Sequence, residues 1–182
     1  MHGWNSHANA RKAKLIEHEL KKHELFDTAS ITLKNHPREA IKQLTEFISE
    51  KQNKYNVHLV GSSLGGYYSV FLAETLNLKA AMINPAVWAY KIFENDRGNV
   101  ENFNTGEKYF IDQAWIDSLE DIFIENPTPD RYLVLLQTGD ETLDYKYAEK
   151  YFSGARIVID EGGSHSFDGL EQKIPQILLH FS

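Results

Sequence analysis

The sequence predicts an α/β fold in which a mostly parallel sheet is covered by helices on both faces. Two observations support this fold class. Short apolar runs alternate along the chain with longer segments whose apolar residues recur at helical spacing. The run at residues 132–136 has no polar alternation, which is typical of a strand buried on both faces. Because no repeat, linker or low-complexity tract interrupts this alternation, we expect one domain over residues 1–182.

The first two predicted elements lie before Pro37. Residues 9–22 place Ala13, Ile16 and Leu20 on one face, which predicts a helix. The run at residues 29–33 predicts a strand that follows this helix.

The next elements begin with a helix at Pro37, since proline suits the first turn of a helix. The residues after Pro37 continue the helix with an apolar face at helical spacing. A strand at residues 57–60, a helix at 64–76 and a strand at 79–83 follow. The apolar face of the Pro37 helix consists of Ile41, Leu44, Phe47 and Ile48.

The second half of the chain contains two further strands, at residues 132–136 and 155–159, with a short helix between them. A final helix carries apolar residues at helical spacing. Residues 86–129 separate two predicted sheet strands and exceed a simple crossover, so we expect a small helical, lid-like insert there. The apolar residues of the final helix are Leu170, Ile174, Ile177, Leu178 and Phe181.

The stretch Gly61-Ser62-Ser63-Leu64-Gly65 is the most informative motif of the chain. It fits Gly-x-Ser-x-Gly, the nucleophile elbow of the α/β-hydrolase fold, in which a sharp strand-to-helix turn exposes the central serine. The predicted strand before it and the predicted helix after it supply that context. We therefore expect Ser63 to be a catalytic nucleophile.

An acid and a histidine follow the serine in the order that this fold requires. Asp140 comes just after the strand at 132–136, and His165 comes just after the strand at 155–159. Because active sites of such sheets lie at the carboxyl ends of the strands, we expect these side chains to meet Ser63. His165 would take the serine proton, and the carboxylate would orient the imidazole.

The identity of the acid has an alternative. Asp140 is nearest to the end of its strand, and we favour it. Asp144 lies close by, and it is also placed to cap a helix that begins near Tyr145. We interpret Glu141 as a surface carboxylate.

The oxyanion hole of this fold uses two main-chain N–H groups. One donor belongs to the residue after the nucleophile, which is Leu64. The other comes from a loop that often carries His-Gly, and His2-Gly3-Trp4-Asn5 fits this pattern with Trp4 as the donor. The alternative is that these first residues are a frayed terminus.

Taken together, these motifs resemble the YqiA-like esterases, a family of small α/β-hydrolases. The resemblance implies ester hydrolysis by Ser63, Asp140 and His165, with acyl-CoA thioester cleavage as the alternative, and implies no cofactor. The matching stretches are His-Gly-Trp-Asn-Ser at 2–6, Gly-Ser-Ser-Leu-Gly-Gly-Tyr-Tyr at 61–68, Asn-Pro-Ala-Val at 84–87, Asn-Thr-Gly-Glu at 104–107, Gln-Thr-Gly-Asp-Glu at 137–141, Leu-Asp-Tyr at 143–145 and Glu-Gly-Gly-Ser-His-Ser-Phe at 161–167.

One departure from the family concerns the start of the chain. Members carry a hydrophobic strand directly before the His-Gly pair, and only Met1 precedes His2 here. That strand is central in the fold, between the strand near residue 30 and the elbow strand, so its loss would leave main-chain groups unpaired. We expect that the natural start lies upstream of Met1.

Composition and charge limit the partners. The net charge of −7 disfavours nucleic acid and anionic membranes, and the cations of residues 11–22 are interleaved with Glu17 and Glu19, as on a solvated helix face. The chain has no cysteine, and its eight histidines show no paired ligand spacing, so we expect no metal site. The sequence has no signal peptide and no apolar run of membrane length, which favours the cytoplasm.

Three functions remain open. The first is hydrolysis of a small-molecule carboxylic ester, and the second is hydrolysis of an acyl-CoA thioester by the same triad. Lys91 and Arg97 are candidate contacts for the CoA phosphates. The third is a catalytically silent binding protein, since a fold does not fix a function. The aromatic residues of the insert would shape an acyl pocket or lid in the first two cases, and the sequence leaves the oligomeric state open.

Overall fold

We describe the fold from a computed structural model, in which residues 1–23 and 26–182 are described. The helices are α1 (Arg11–Leu20), α2 (Pro37–Gln52), α3 (Leu64–Leu76), α4 (Ala89–Phe93), α5 (Gln113–Glu120), α6 (Tyr145–Tyr151) and α7 (Ile174–Phe181). The strands are β1 (Leu59–Ser63), β2 (Ala80–Pro85), β3 (Gly98–Glu101), β4 (Lys108–Ile111), β5 (Tyr132–Gln137) and β6 (Arg156–Asp160). Two short 3₁₀ helices lie at Pro129–Arg131 and Leu170–Lys173.

The main sheet has the strand order β1-β2-β5-β6, and all of its strands are parallel. All residues of β2 and β5 are buried, which explains their continuous apolar sequence. Parallel strands end at one edge of the sheet, so the residues after β1, β2, β5 and β6 lie near one another. This confirms the predicted α/β class with a mostly parallel sheet.

Helices cover both faces of this sheet. Val134 and Leu136 of β5 pack in a core with residues of α2, α3 and α6, whereas Leu133 and Leu135 pack in a second core with α7 and Leu20 of α1. Successive side chains of a strand point to opposite faces, so one apolar strand supplies both cores.

The predicted strand at residues 29–33 is wrong, because this segment is in no sheet. The first two residues of the chain lie between it and β1. The Met1 amino group donates to Val60 O, and the Ser62 N–H donates to Met1 O at 3.2 Å. Towards the segment, the His2 side chain accepts a hydrogen bond from the Leu33 N–H at 3.0 Å. An apolar segment forms a strand only when a neighbouring strand supplies main-chain hydrogen bonds. Here a side chain, that of His2, bonds to the segment instead.

The insert at residues 86–129 contains the expected helices, α4 and α5, and also an antiparallel hairpin of β3 and β4 that is not among the predicted elements. The sequence signal for the hairpin is weak, because each strand has only four residues. The signal consists of Val100 and Tyr109, which face inward, and of a turn that includes Gly106. Gly106 has a φ of 72°, which glycine adopts without strain. Trp115 of α5 is 1 % exposed and packs in the core, so this insert has its own buried anchor.

The central strand gives a test of the core assignment. Leu135 of β5 is fully buried, so Leu135→Ala is expected to lower the free energy of unfolding by about 2–5 kcal/mol through the cavity it leaves. Leu179→Ala removes the same atoms from a side chain that is 65 % exposed and is expected to cost less than about 0.5 kcal/mol. Urea denaturation of both variants measures the difference, and equal losses would contradict the assignment.

Candidate active site

Ser63 lies at the junction where β1 ends and α3 begins. Its φ of 54° and ψ of −126° are strained for a residue with a side chain, and such strain costs on the order of 1–3 kcal/mol. The register between β1 and β2 shifts between Ser62 and Ser63, so that Ser63 faces Pro85. This is the backbone geometry that the Gly-x-Ser-x-Gly motif requires.

The glycines of the motif allow close main-chain contacts around the serine. A Cβ on Gly61 would lie 2.5 Å from Gly65 O, and a Cβ on Gly65 would lie 2.5 Å from Met1 O. Real Cβ atoms do not approach backbone this closely. A Cβ on Gly3 would lie 3.1 Å from Ser63 Cβ, so the start of the chain passes directly over the elbow.

Asp140 and His165 form a close pair on the loops after β5 and β6. His165 Nδ1 lies 2.8 Å from Asp140 Oδ2 and 3.0 Å from Oδ1. Asp140 Oδ1 also accepts hydrogen bonds from the N–H groups of Thr142 and Leu143 at 2.9 and 2.8 Å. Burial raises the pKa of Asp140, but the hydrogen bonds from His165, Leu143 and Thr142 outweigh it and lower the pKa. The ionised carboxylate accepts the Nδ1–H, which leaves Nε2 as the imidazole atom able to take a proton.

Asp144 has a different place. It is the N-cap of α6, where its Oδ1 accepts a hydrogen bond from the Lys146 N–H at 3.0 Å. The structure thus places Asp140, and not Asp144, at the imidazole of His165. Within the described residues it shows no hydrogen bond between Ser63 and His165, and such bonds in ligand-free sites often tighten only when substrate binds.

Buried amides hold the histidine loop. Asn84 at the end of β2 donates from Nδ2 to Ser164 O at 3.0 Å and accepts from the Gln137 N–H at 3.0 Å. Gln137 Oε1 accepts from the N–H groups of Ser164 and Asp168 at 3.1 and 2.8 Å, and Nε2 donates to Asp168 O at 2.7 Å. Asn84 and Gln137 are 2 % and 3 % exposed, so these fully paired amides fix the loop against the sheet.

Two charged side chains also hold the main chain of His165. Glu141 Oε2 accepts from the His165 N–H at 3.0 Å, so Glu141 is more than the surface carboxylate that we predicted. Lys12 Nζ donates to His165 O at 3.1 Å from α1. The prediction of a solvated face for the cations of residues 11–22 is therefore wrong for Lys12. Burial lowers the pKa of Lys12 to about 8, although the Asp140 carboxylate opposes this shift.

The two residues that the sequence predicts as oxyanion donors are both close to Ser63 along the chain or next to a residue that contacts it. Leu64 is the first residue of α3, and Trp4 follows Gly3, which packs against Ser63. His2 ties the loop down, since Nε2 accepts from Leu33 and Nδ1 therefore carries the proton that Gly3 O accepts at 2.8 Å. These contacts bind the first residues of the chain to the body of the protein.

Backbone strain concentrates at this edge of the sheet. Six residues other than glycine have a positive φ in the described part of the chain, and Asn77 among them ends α3 in a left-handed cap. The other five lie at the ends of β1 and β2 or in loops near the candidate site, where strain persists only because the surrounding contacts impose it. These five are Asn5, Ser63, Asn84, Trp88 and Phe167.

The described residues contain no cluster of three or more His, Cys, Asp or Glu side chains that could hold a metal ion. Among the same residues, no helix combines the length and apolarity needed to cross a membrane.

The chain belongs to the uncharacterised protein family UPF0227, whose family model matches residues 1–182. This is the YqiA-like family that the sequence motifs indicate.

Solved structures of other proteins share the fold at low sequence identity. Est1E from Butyrivibrio proteoclasticus, solved with ferulic acid bound, superposes with a TM-score of 0.74 at 14 % identity, covering 98 % of this chain and 86 % of that chain. The monoacylglycerol lipase of Paleococcus ferrophilus gives a TM-score of 0.71 at 17 % identity, covering 100 % and 93 %. Mouse alpha/beta hydrolase domain-containing protein 10 gives 0.65 at 19 % identity, covering 100 % and 89 %. These likenesses confirm the α/β-hydrolase fold.

The depressed pKa of Lys12 predicts a pH dependence of stability. An unfolded lysine titrates near 10.5 and the folded Lys12 near 8, so between these values the unfolded state binds more protons and the contribution of Lys12 to stability rises with pH. The free energy of unfolding of wild type relative to Lys12→Met is therefore expected to increase from pH 8 to pH 10. Lys14→Met, which alters an exposed lysine of α1, is the control. A difference that stays constant over this range would contradict the assignment.

Proposed function

We propose that this member of the UPF0227 family is a carboxylic-ester hydrolase that acts through an acyl-enzyme on Ser63. The observation that carries the proposal is the Asp140–His165 pair, with Nδ1 2.8 Å from the carboxylate, at the same edge of the sheet as the strained elbow of Ser63. A hydrogen-bonded carboxylate, an oriented imidazole and a serine, all at the carboxyl ends of strands of one parallel sheet, are the parts that nucleophilic acyl transfer needs.

In the proposed reaction, Ser63 Oγ attacks the ester carbonyl carbon while His165 Nε2 takes the hydroxyl proton. Asp140 keeps the Nδ1–H in place and stabilises the imidazolium. The tetrahedral intermediate collapses, His165 returns the proton to the leaving alcohol, and an ester of Ser63 remains. Water then attacks this acyl-enzyme with His165 as the base, which releases the acid and restores Ser63.

The N–H groups of Leu64 and Trp4 are the proposed donors to the oxyanion. The Leu64 N–H is the first of α3, where the helix dipole adds positive potential. Donors that are already in place stabilise the transition state without reorganisation, and each is worth about 10²- to 10³-fold in rate.

The substrate class is supported by the likeness to proteins of related fold. Est1E was solved with ferulic acid, and the Paleococcus protein is named a monoacylglycerol lipase, so both are associated with small acyl compounds. We propose a small-molecule acyl ester as the substrate here, with no cofactor in the reaction.

The two cations suggested for the CoA phosphates already have partners within the chain. Arg97 is bound to Glu94 at 2.7 Å and to Gln113, and Lys91 lies over the rings of Trp88 and Tyr90. A site for the CoA phosphates would need cations that are available to the ligand.

The first test uses a fluorophosphonate probe, which reacts with activated serine hydroxyls. We expect wild-type protein to be labelled at Ser63 and Ser63→Ala to remain unlabelled, as judged by mass spectrometry of the digested protein. Ser62→Ala is the matched control, because it changes the neighbouring serine. A panel of acyl esters and acyl-CoA thioesters then gives the preference, and an unlabelled wild type would overturn the proposal.

The second test separates the two aspartates. Asp140→Asn is expected to lower kcat by about 10⁴-fold, because the amide no longer holds the imidazole in the reactive tautomer. Asp144→Asn removes the same charge from the cap of α6 and is expected to leave kcat within about threefold and to cost no more than about 1 kcal/mol of stability. Steady-state kinetics with a p-nitrophenyl ester measures both, and equal losses would contradict the assigned acid.

A further inference from the structure

We infer that the β3–β4 hairpin holds the oxyanion loop, residues 2–5, in its working position through the hydroxyl group of Tyr109. This would make Tyr109 a positioning residue rather than a catalytic one. The inference rests on the proposed function, because Trp4 in this loop is the proposed second oxyanion donor.

The Tyr109 hydroxyl joins two consecutive residues of the loop. Its oxygen accepts a hydrogen bond from Trp4 Nε1 at 2.6 Å, and its proton is donated to Asn5 Oδ1 at 2.9 Å. Burial raises the pKa of Tyr109, so the phenol keeps this proton at neutral pH. A phenylalanine would keep the ring and lose both hydrogen bonds.

A second contact from the same hairpin fixes the main chain of the loop. Asn104 Nδ2 donates to Asn5 O at 2.6 Å. Asn5 has a φ of 49°, a left-handed conformation that asparagine tolerates better than most residues, and it sets the direction of the chain after Trp4. The hairpin turn is itself anchored, since the buried Asn102 donates from Nδ2 to Asn35 Oδ1 at 3.0 Å.

The Trp4 ring is held by aromatic packing from the rest of the insert. It meets Phe93 edge-on with ring centroids 5.1 Å apart, and Phe93 meets the buried Trp115 at 4.9 Å. Trp115 Nε1 donates to Asn35 O at 3.1 Å.

The Trp4 and Asn5 side chains of the loop therefore contact the insert, while the main chain at Gly3 packs on Ser63. The insert therefore contacts the side of the loop that faces away from Ser63.

Tyr109→Phe tests the inference by kinetics. We expect kcat for a p-nitrophenyl ester to fall about 10- to 100-fold while KM stays within about twofold, because a displaced donor weakens only the transition state. The rate of fluorophosphonate labelling at Ser63 is expected to fall in the same range. Tyr55→Phe is the matched control, since it removes a phenol hydroxyl from a side chain that is 46 % exposed.

Hydrogen–deuterium exchange tests the same inference without reference to activity. The peptide that covers residues 1–8 is expected to exchange faster in Tyr109→Phe than in wild type or Tyr55→Phe, with the thermal midpoint unchanged within a few degrees. Asn5→Gly keeps the left-handed backbone and removes the acceptor of the Tyr109 proton, so it is expected to speed exchange of this peptide as well. If Tyr109→Phe folds poorly, Asn5→Gly still tests the inference.

The two experiments separate the inference from the proposed function. If Tyr109→Phe exchanges faster than wild type, the hairpin contact is supported. If wild type is also not labelled at Ser63, the esterase proposal is overturned. Wild-type labelling at Ser63, with Tyr109→Phe and Asn5→Gly matching Tyr55→Phe in both kcat and exchange, would overturn the inference and leave the esterase proposal standing.

Discussion

The left-handed backbone of Ser63 is the constraint on which the rest of the structure depends. A serine with a φ of 54° at a strand end turns the chain abruptly into α3 and requires main-chain contacts that a Cβ on Gly61 or Gly65 would block. The register against β2 shifts at this turn, and the first residues of the chain pass over the elbow where Gly65 has no Cβ. Ser63, which is the proposed nucleophile, therefore lies where β1, α3 and the first residues of the chain meet.

Strain of this kind persists only where other contacts outweigh it. The apolar strands β2 and β5 are buried on both faces and provide a rigid support for the loops. Asn84 and Gln137, at the ends of these strands, form hydrogen bonds with the histidine loop. Lys12 and Glu141 form hydrogen bonds with the main chain of His165. Hydrogen bonds thus hold the loops of the candidate site at one edge of a buried sheet.

The triad of Ser63, Asp140 and His165 stays a prediction, with Asp140 beside His165 in the structure. The sequence was enough to predict the fold class, because apolar runs of strand length alternate with segments of helical periodicity. It failed where a feature depends on distant partners. The segment at 29–33 has the pattern of a strand but pairs with no strand among the described residues, and the role of Lys12 depends on a contact 153 residues away. The Tyr109–Trp4 contact spans 105 residues and left no local signal beyond a weak hairpin pattern.

Ser63 is proposed to carry the acyl group between the two halves of the reaction. The most direct measurement is mass spectrometry of protein that is acid-quenched within milliseconds of mixing with p-nitrophenyl butyrate. The account predicts a butyryl group on the peptide that contains Ser63 and none on Ser63→Ala, which should also have lost turnover. A butyryl group on another residue, or undiminished turnover by Ser63→Ala, would contradict it.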